Sequence, residues 1–158
     1  MGAPPDSVRE SKAQGAAELV SYLGVAPLLL GLLGVGLLPD LAQRELAQRL
    51  AIGWGAVLLA GCGGVHWGLA LAGRLPWAAA RIGAAVLPAL CGAAAVVLGG
   101  QRGLALLAGG LGGFWLYEHR VLGDALPPAW LSLRRNLTLA TCMLLALTMF
   151  ASDTAGLS

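Results

Sequence analysis

Ionisable side chains inside or beside apolar runs are the residues of this sequence best placed to do chemistry. His66 stands in the apolar run from Leu50 to Ala72, and Glu118 and His119 end another. Ionisable groups in membrane segments are costly and usually face protein or water, so they are the default functional candidates. Helix order predicts one polar layer that comprises Glu18, His66, Trp67, Arg81, Glu118, His119, Arg120, Arg134, Arg135 and Asn136.

Two interpretations of this layer stay open. In the structural one, Glu18 or Glu118 pairs with an arginine and His66 hydrogen-bonds a backbone carbonyl. In the functional one, the layer binds a ligand. Ion pairs between membrane helices serve mutual stabilisation more often than an active site, which favours the structural interpretation.

Cofactor chemistry finds little support in the sequence. A haem between helices needs two well-placed histidines, whereas His66 and His119 are predicted at different depths. His, Cys and carboxylate residues do not cluster at metal-ligand spacing. The glycines lack the Lys-Ser/Thr that ends a phosphate-binding loop. We therefore predict no cofactor, no metal, no catalytic residue and no enzymatic activity.

Composition indicates a membrane protein. Of the 158 residues, 58% are hydrophobic and 11% are charged, against about 25% charged residues in an average soluble domain. Runs of about 20 apolar residues recur, as in spanning helices. The net charge of +2 is too small to indicate a nucleic-acid partner. Cys62, Cys91 and Cys142 lie apart in apolar runs, so we expect buried free thiols.

These runs predict an all-α integral membrane bundle of five transmembrane helices within a domain over residues 16–152. Polar tails are expected at both ends, the first of them flexible, over 1–15 and 153–158. Pro27 is expected to kink the first helix, 41–49 to form an interfacial turn and 123–131 an interfacial loop. The helices are predicted at about 16–38, 50–72, 78–99, 103–117 and 136–151.

Lysine and arginine predict the orientation. One side of this topology collects Arg9, Lys12, Arg74, Arg81, Arg120, Arg134 and Arg135. The other side has Arg44, Arg49 and Arg102. The positive-inside rule then places the N-terminus inside and the C-terminus outside.

Glycines are predicted to pack the helices. Gly61, Gly64 and Gly68 share a face of the second helix, and Gly109 and Gly113 have the small-xxx-small spacing in the fourth. Such spacing lets helix backbones approach closely in lipid. The small-residue surface of the second helix also predicts a central position for it.

Three stretches carry a family resemblance. They are Leu23–Pro27, the Gly-Gly-Val-His-Trp-Gly run over Gly63–Gly68, and the segment from Leu126 through Pro127-Pro128-Ala129-Trp130 to Thr138. Together they resemble the domain of unknown function 3429 family, over about Glu18 to Ala151. That family comprises small five-helix membrane proteins and includes mitochondrial transmembrane protein sixty-nine. The resemblance implies the fold and an inner-membrane location, and it implies no reaction.

Two functions are compatible with these features. The first is a non-enzymatic accessory or assembly subunit that packs against a larger membrane complex, such as a respiratory one. The alternative is a small membrane binding or transport protein for a hydrophobic or anionic ligand such as lipid or quinone. We favour the first, with the lipid bilayer and other membrane subunits or a homo-oligomer as partners, and no nucleic acid. The expected location is the bacterial inner membrane, or the mitochondrial inner membrane in a eukaryote.

Overall fold

The computed structural model describes residues 6–74, 79–122 and 128–157, and the side chains of 15–74, 82–121 and 128–157. Every secondary-structure element in these ranges is an α-helix. The helices are α1 (Asp6–Leu23), α2 (Ala26–Leu37), α3 (Leu41–Leu71), α4 (Ala79–Leu98), α5 (Gly100–Leu122) and α6 (Pro128–Thr154). Residues 1–5 of the predicted tail and 123–127 of the predicted loop lie outside the described residues.

Three stretches are long and apolar enough to cross a membrane, namely Gly15–Leu37, Leu41–Leu71 and Pro128–Thr154. Ile82–Leu98 is a shorter apolar helix. The predicted all-α class and membrane-compatible character of the chain are therefore confirmed for the part that the structure describes.

The predicted first helix, 16–38, is broken rather than kinked. Helix α1 already begins at Asp6 within the predicted flexible tail, and the break follows Leu23. Pro27 lies in the first turn of α2, where its missing N–H is not needed. The carbonyl of Gly24 instead accepts a 2.7 Å hydrogen bond from the indole Nε1 of Trp54. This bond ties the break to α3.

Several other boundaries also differ from the predicted ones. Residues 41–49 form the first turns of α3 instead of an interfacial turn, and Gln48 is buried there. Helices α5 and α6 extend beyond 103–117 and 136–151 at both ends. The predicted spans of these three helices are too short because they follow hydropathy alone. The polar residues at the helix ends are exposed or have polar partners, so the helices continue through them.

The C-terminal residues cap α6 rather than forming a free polar tail over 153–158. Gly156 adopts a φ of 73°, the left-handed conformation that closes many helices. The N–H of Leu157 then donates to the Ser152 carbonyl at 2.8 Å. This turn buries the Leu157 side chain against Val35 and Ala47, where α2 and α3 meet.

Helix α3 is central, because it packs against α2, α4, α5 and α6. A Cβ added at Gly63 would overlap the carbonyl of Ala85 on α4, and one at Gly92 would lie 3.0 Å from the Ala56 carbonyl oxygen. Backbone approach of this kind drives helix association in lipid. Leucines fill the remaining core, with no exposed surface at Leu59, Leu104, Leu107 and Leu145.

The glycines that the sequence predicted for packing make no close contact with the described helices of this chain. A Cβ built at any of them would meet no atom within 4 Å; they are Gly61, Gly64, Gly68, Gly109 and Gly113. One residue along a helix turns the side-chain direction by about 100°. Helix α3 therefore presents Gly63 to α4 and turns Gly64 outward.

Replacing Gly63 with alanine should destabilise the bundle, while Gly64→Ala should not. The new methyl at Gly63 meets backbone, so α3 and α4 must separate, and overpacking of this kind costs about 1–3 kcal/mol. The methyl at Gly64 meets open space. Melting temperatures of the two purified variants in mild detergent check this pair, and equal values would contradict the close contact of α3 with α4.

Candidate functional site

Three helices bring one ionisable residue each to the same level of the bundle. His66 lies five residues before the end of α3, Glu118 lies four before the end of α5, and Arg134 lies six after the start of α6. These offsets amount to about 6–9 Å along the helix axes. We call His66, Glu118 and Arg134 the charge cluster.

Glu118 and Arg134 form the strongest contact of the charge cluster. The Nε–H of Arg134 donates to Oε2 of Glu118 over 2.9 Å, and the two side chains are only 17% and 4% exposed. A buried carboxylate or guanidinium alone would be very costly, whereas a hydrogen-bonded pair is tolerated. This pair joins α5 to α6.

His66 adds a third polar group to the charge cluster. Its Nδ1 lies 3.9 Å from Oε1 of Glu118, which is too far for a hydrogen bond, and 3.3 Å from the Cys62 carbonyl oxygen. A carbonyl only accepts, so Nδ1 carries a proton and donates to it. The other ring nitrogen, Nε2, is buried without a hydrogen-bond partner.

Two aromatic rings of α5 enclose the imidazole. The ring of Phe114 meets His66 edge-on with 5.1 Å between centroids, and the ring of Tyr117 lies at 6.2 Å. Phe114, Tyr117 and Glu118 follow one another at i, i+3 and i+4, so one face of α5 carries all three. On their other side, Phe114 and Tyr117 line an apolar cleft of about 570 Å³ between α4 and α5.

Cys62 and Arg134 meet on the opposite side of the charge cluster. The thiol of Cys62 lies within interaction distance of the guanidinium. Both residues line a small crevice of about 130 Å³ between α1, α3 and α6. The Nη2 of Arg134 is buried without a hydrogen-bond partner, and so is Oγ1 of Thr138, one turn further along α6.

The structure brings together only part of the predicted polar layer. Trp67 is partly exposed on the outer side of α3, and the side chain of Arg81 lies outside the described residues. His119 stacks on Trp115 with 5.8 Å between ring centroids. The remaining predicted members are exposed, namely Glu18, His119, Arg120, Arg135 and Asn136.

Sequence reasoning missed four neighbours of the charge cluster, namely Cys62, Phe114, Tyr117 and Thr138. Three of them stand one helical turn from a member: Cys62 precedes His66 by four residues, Phe114 precedes Glu118 by four, and Thr138 follows Arg134 by four. Helical spacing from each ionisable residue was therefore the signal that pointed to them. Among the described residues, no group of three His, Cys, Asp or Glu side chains could hold a metal ion.

The model of a family described as protein of unknown function, DUF3429, matches residues 9–150. No curated protein and no solved structure matches the chain.

Removing one partner of the buried pair should destabilise the protein more than removing both. Glu118→Gln leaves Arg134 buried without a countercharge, which costs about 3–5 kcal/mol, and Arg134→Gln strands Glu118 in the same way. The double variant removes both charges and should recover part of the loss. Thermal unfolding in detergent measures the effect, with Arg135→Gln as the exposed control. Losses that simply add in the double variant would contradict the pairing.

Proposed function

The chain belongs to the DUF3429 family of proteins of unknown function, and we propose that it is a non-enzymatic integral membrane protein with five spans. In this proposal it serves as an accessory or assembly subunit that packs against a larger membrane complex. The membrane is the bacterial inner membrane or its mitochondrial counterpart. The observation that carries the proposal is the row of Gly64 and Gly68 on α3, which are exposed and have no atom of the described residues within 4 Å of their Cβ positions.

The spacing of exposed charges supports spans for α5 and α6. Arg135 and Asp153 on α6 stand 18 residues apart, and so do Arg102 and Arg120 on α5. At 1.5 Å per residue each separation is about 27 Å, close to the ~30 Å of a hydrocarbon core. Charged rims at both ends of such a segment are what a spanning helix requires.

The distribution of arginine supports an N-terminus on the inner side. Arg74, Arg120, Arg134 and Arg135 lie at the end of the bundle that holds the charge cluster. The opposite end has Arg44, Arg49 and Arg102, and one of its arginines, Arg49, is paired with Glu45 at 2.6 Å. The more basic end faces the cytoplasm or matrix under the positive-inside rule.

One glycine pair faces away from the described helices. Gly64 and Gly68 stand four residues apart on α3 and are exposed, with no atom near their Cβ positions, whereas Gly109 and Gly113 of α5 line the cleft between α4 and α5. A second transmembrane helix can approach the backbone closely along such a row, and dispersion contacts then hold it. We take a transmembrane helix of another subunit as the occupant, because the charge cluster and the leucine core already satisfy the contacts inside the bundle.

The charge cluster supports a structural role over a catalytic one. Glu118 is held by Arg134, and the Nδ1 of His66 is held by a backbone carbonyl, so the carboxylate and Nδ1 already have partners inside the bundle. General acid–base catalysis needs a proton-transfer group aimed at a reacting atom. In this proposal the cluster locks α3, α5 and α6 into one body that presents the outward faces to a partner.

Reporter fusions test the topology. An alkaline phosphatase fused after Ser158 should be active, and a fluorescent protein that folds only in the cytoplasm should stay dark there. A fusion in the α3–α4 connection should give the reverse pattern. Cytoplasmic activity at the C-terminal fusion would contradict the orientation and the odd number of spans.

Native mass spectrometry of the protein extracted from its own membrane in mild detergent tests the accessory role. We expect a second membrane protein at fixed stoichiometry, and we expect Gly64→Leu to release it by filling the groove that the partner helix occupies. Gly36→Leu on α2 is the matched control, because Gly36 is also exposed with nothing near its Cβ. A lone monomer or homo-oligomer from the native membrane would overturn this function.

A further inference from the structure

The crevice between α1, α3 and α6 has a polar floor and apolar walls. Arg134 and Cys62 form the floor, and the walls include Leu58, Leu133 and Leu137. Ser21 of α1 and Trp130 of α6 also line it. Its volume of about 130 Å³ is enough for one compact polar group.

Arg134 is only partly satisfied by Glu118. The guanidinium presents five N–H donors, and its Nε–H is the one bonded to the carboxylate. The buried Nη2 has no hydrogen-bond partner. A buried donor left unpaired is costly, so an acceptor that enters the crevice gains the full value of a charge-assisted bond.

The crevice lies at the edge of the apolar part of the bundle. Arg135, next to Arg134 in the chain, and Arg120, two residues after Glu118, are both charged and exposed. Exposed charges mark the level at which hydrocarbon ends. Trp130 at the rim is 38% exposed, as indole rings at the headgroup level are.

The charge at this level is also unbalanced. Glu118 compensates one arginine, while Arg74, Arg120 and Arg135 are exposed. Among the side chains that the structure describes, Glu18 is the one further exposed acid at this end. A basic layer next to the membrane surface attracts anionic lipids. Guanidinium groups also match the geometry of phosphate oxygens better than ammonium groups do.

We propose that this crevice binds the phosphate of an anionic membrane phospholipid. Arg134, which lines the crevice, donates from an Nη group to a phosphate oxygen, while Nε–H stays on Glu118. The acyl chains lie along the exposed apolar surface outside the crevice. This inference is independent of the accessory role, because Gly64 and Gly68 are not among the residues that line the crevice.

Lipid exchange tests the proposal on the full-length protein. The protein is purified in mild detergent, mixed with phosphatidylglycerol or phosphatidylcholine, and the retained lipid is counted by native mass spectrometry. We expect one tightly held phosphatidylglycerol and about tenfold weaker retention of phosphatidylcholine. No preference for phosphatidylglycerol would overturn the site and leave water as the occupant of the crevice.

Two filled variants locate the lipid. Gly61 lines the crevice and has no atom within 4 Å of its Cβ position, so Gly61→Leu fills the space without a clash. Gly64→Leu fills open space outside the crevice and is the matched control. Gly61→Leu should lower the affinity for phosphatidylglycerol about tenfold, and Gly64→Leu should leave it unchanged. Equal retention by both variants would overturn the location.

Further variants keep the test decisive if Gly61→Leu does not fold. Ser21→Leu fills the crevice from α1. The double variant Glu118→Gln/Arg134→Gln, compared with Arg135→Gln, separates the buried arginine from its exposed neighbour without stranding Glu118. Loss with the first two, and retention with Arg135→Gln, supports the proposal. Inorganic phosphate in millimolar amounts is added in a separate experiment. Displacement of the lipid by phosphate alone would reassign the site to free phosphate and overturn the lipid proposal.

Discussion

Inside apolar helices, an arginine and a glutamate keep their charges only when they face each other, and the rest of this bundle depends on that constraint. Glu118 sits one turn from the end of α5, and Arg134 is nearly two turns into α6. Their 2.9 Å contact sets how far α6 slides along α5. His66 of α3 lies beside the same carboxylate at 3.9 Å, so the central helix meets the pair at this level of the bundle.

Close packing at glycines holds α3 against α4. The two backbones approach where Gly63 of α3 lies against Ala85, and again where Gly92 of α4 lies against Ala56. Leucine contacts cannot replace these, because in lipid the tails outside the bundle are as apolar as leucine itself. Close backbone contacts and the buried Glu118–Arg134 pair therefore supply the stabilisation that burial of apolar surface from water supplies in a soluble protein.

The sequence predicted the fold class, the central helix and the members of the charge cluster, because apolar length and buried charge are visible residue by residue. It could not predict which glycines pack. Gly63 and Gly64 are neighbours of the same type, and only the rotation of α3 against α4 distinguishes them. The break at Gly24 was hidden for a similar reason, since it depends on Trp54 from another helix. The sequence also could not show which residues of the predicted polar layer contact each other, because Arg134 and Arg135 differ only in the direction that each faces.

The charge cluster also separates two openings of different character. Phe114 and Tyr117 lie between the imidazole and the apolar α4–α5 cleft, whereas Arg134 is itself a lining residue of the crevice. A molecule in the apolar cleft would thus meet ring faces, while one in the crevice would meet an N–H donor. The two openings therefore suit different ligands. A hydrocarbon chain in the cleft makes no hydrogen bond with the charge cluster, whereas an acceptor in the crevice receives one from Arg134. The arginine that stabilises the bundle through Glu118 is thereby also the group through which the polar side of the bundle can recognise a headgroup.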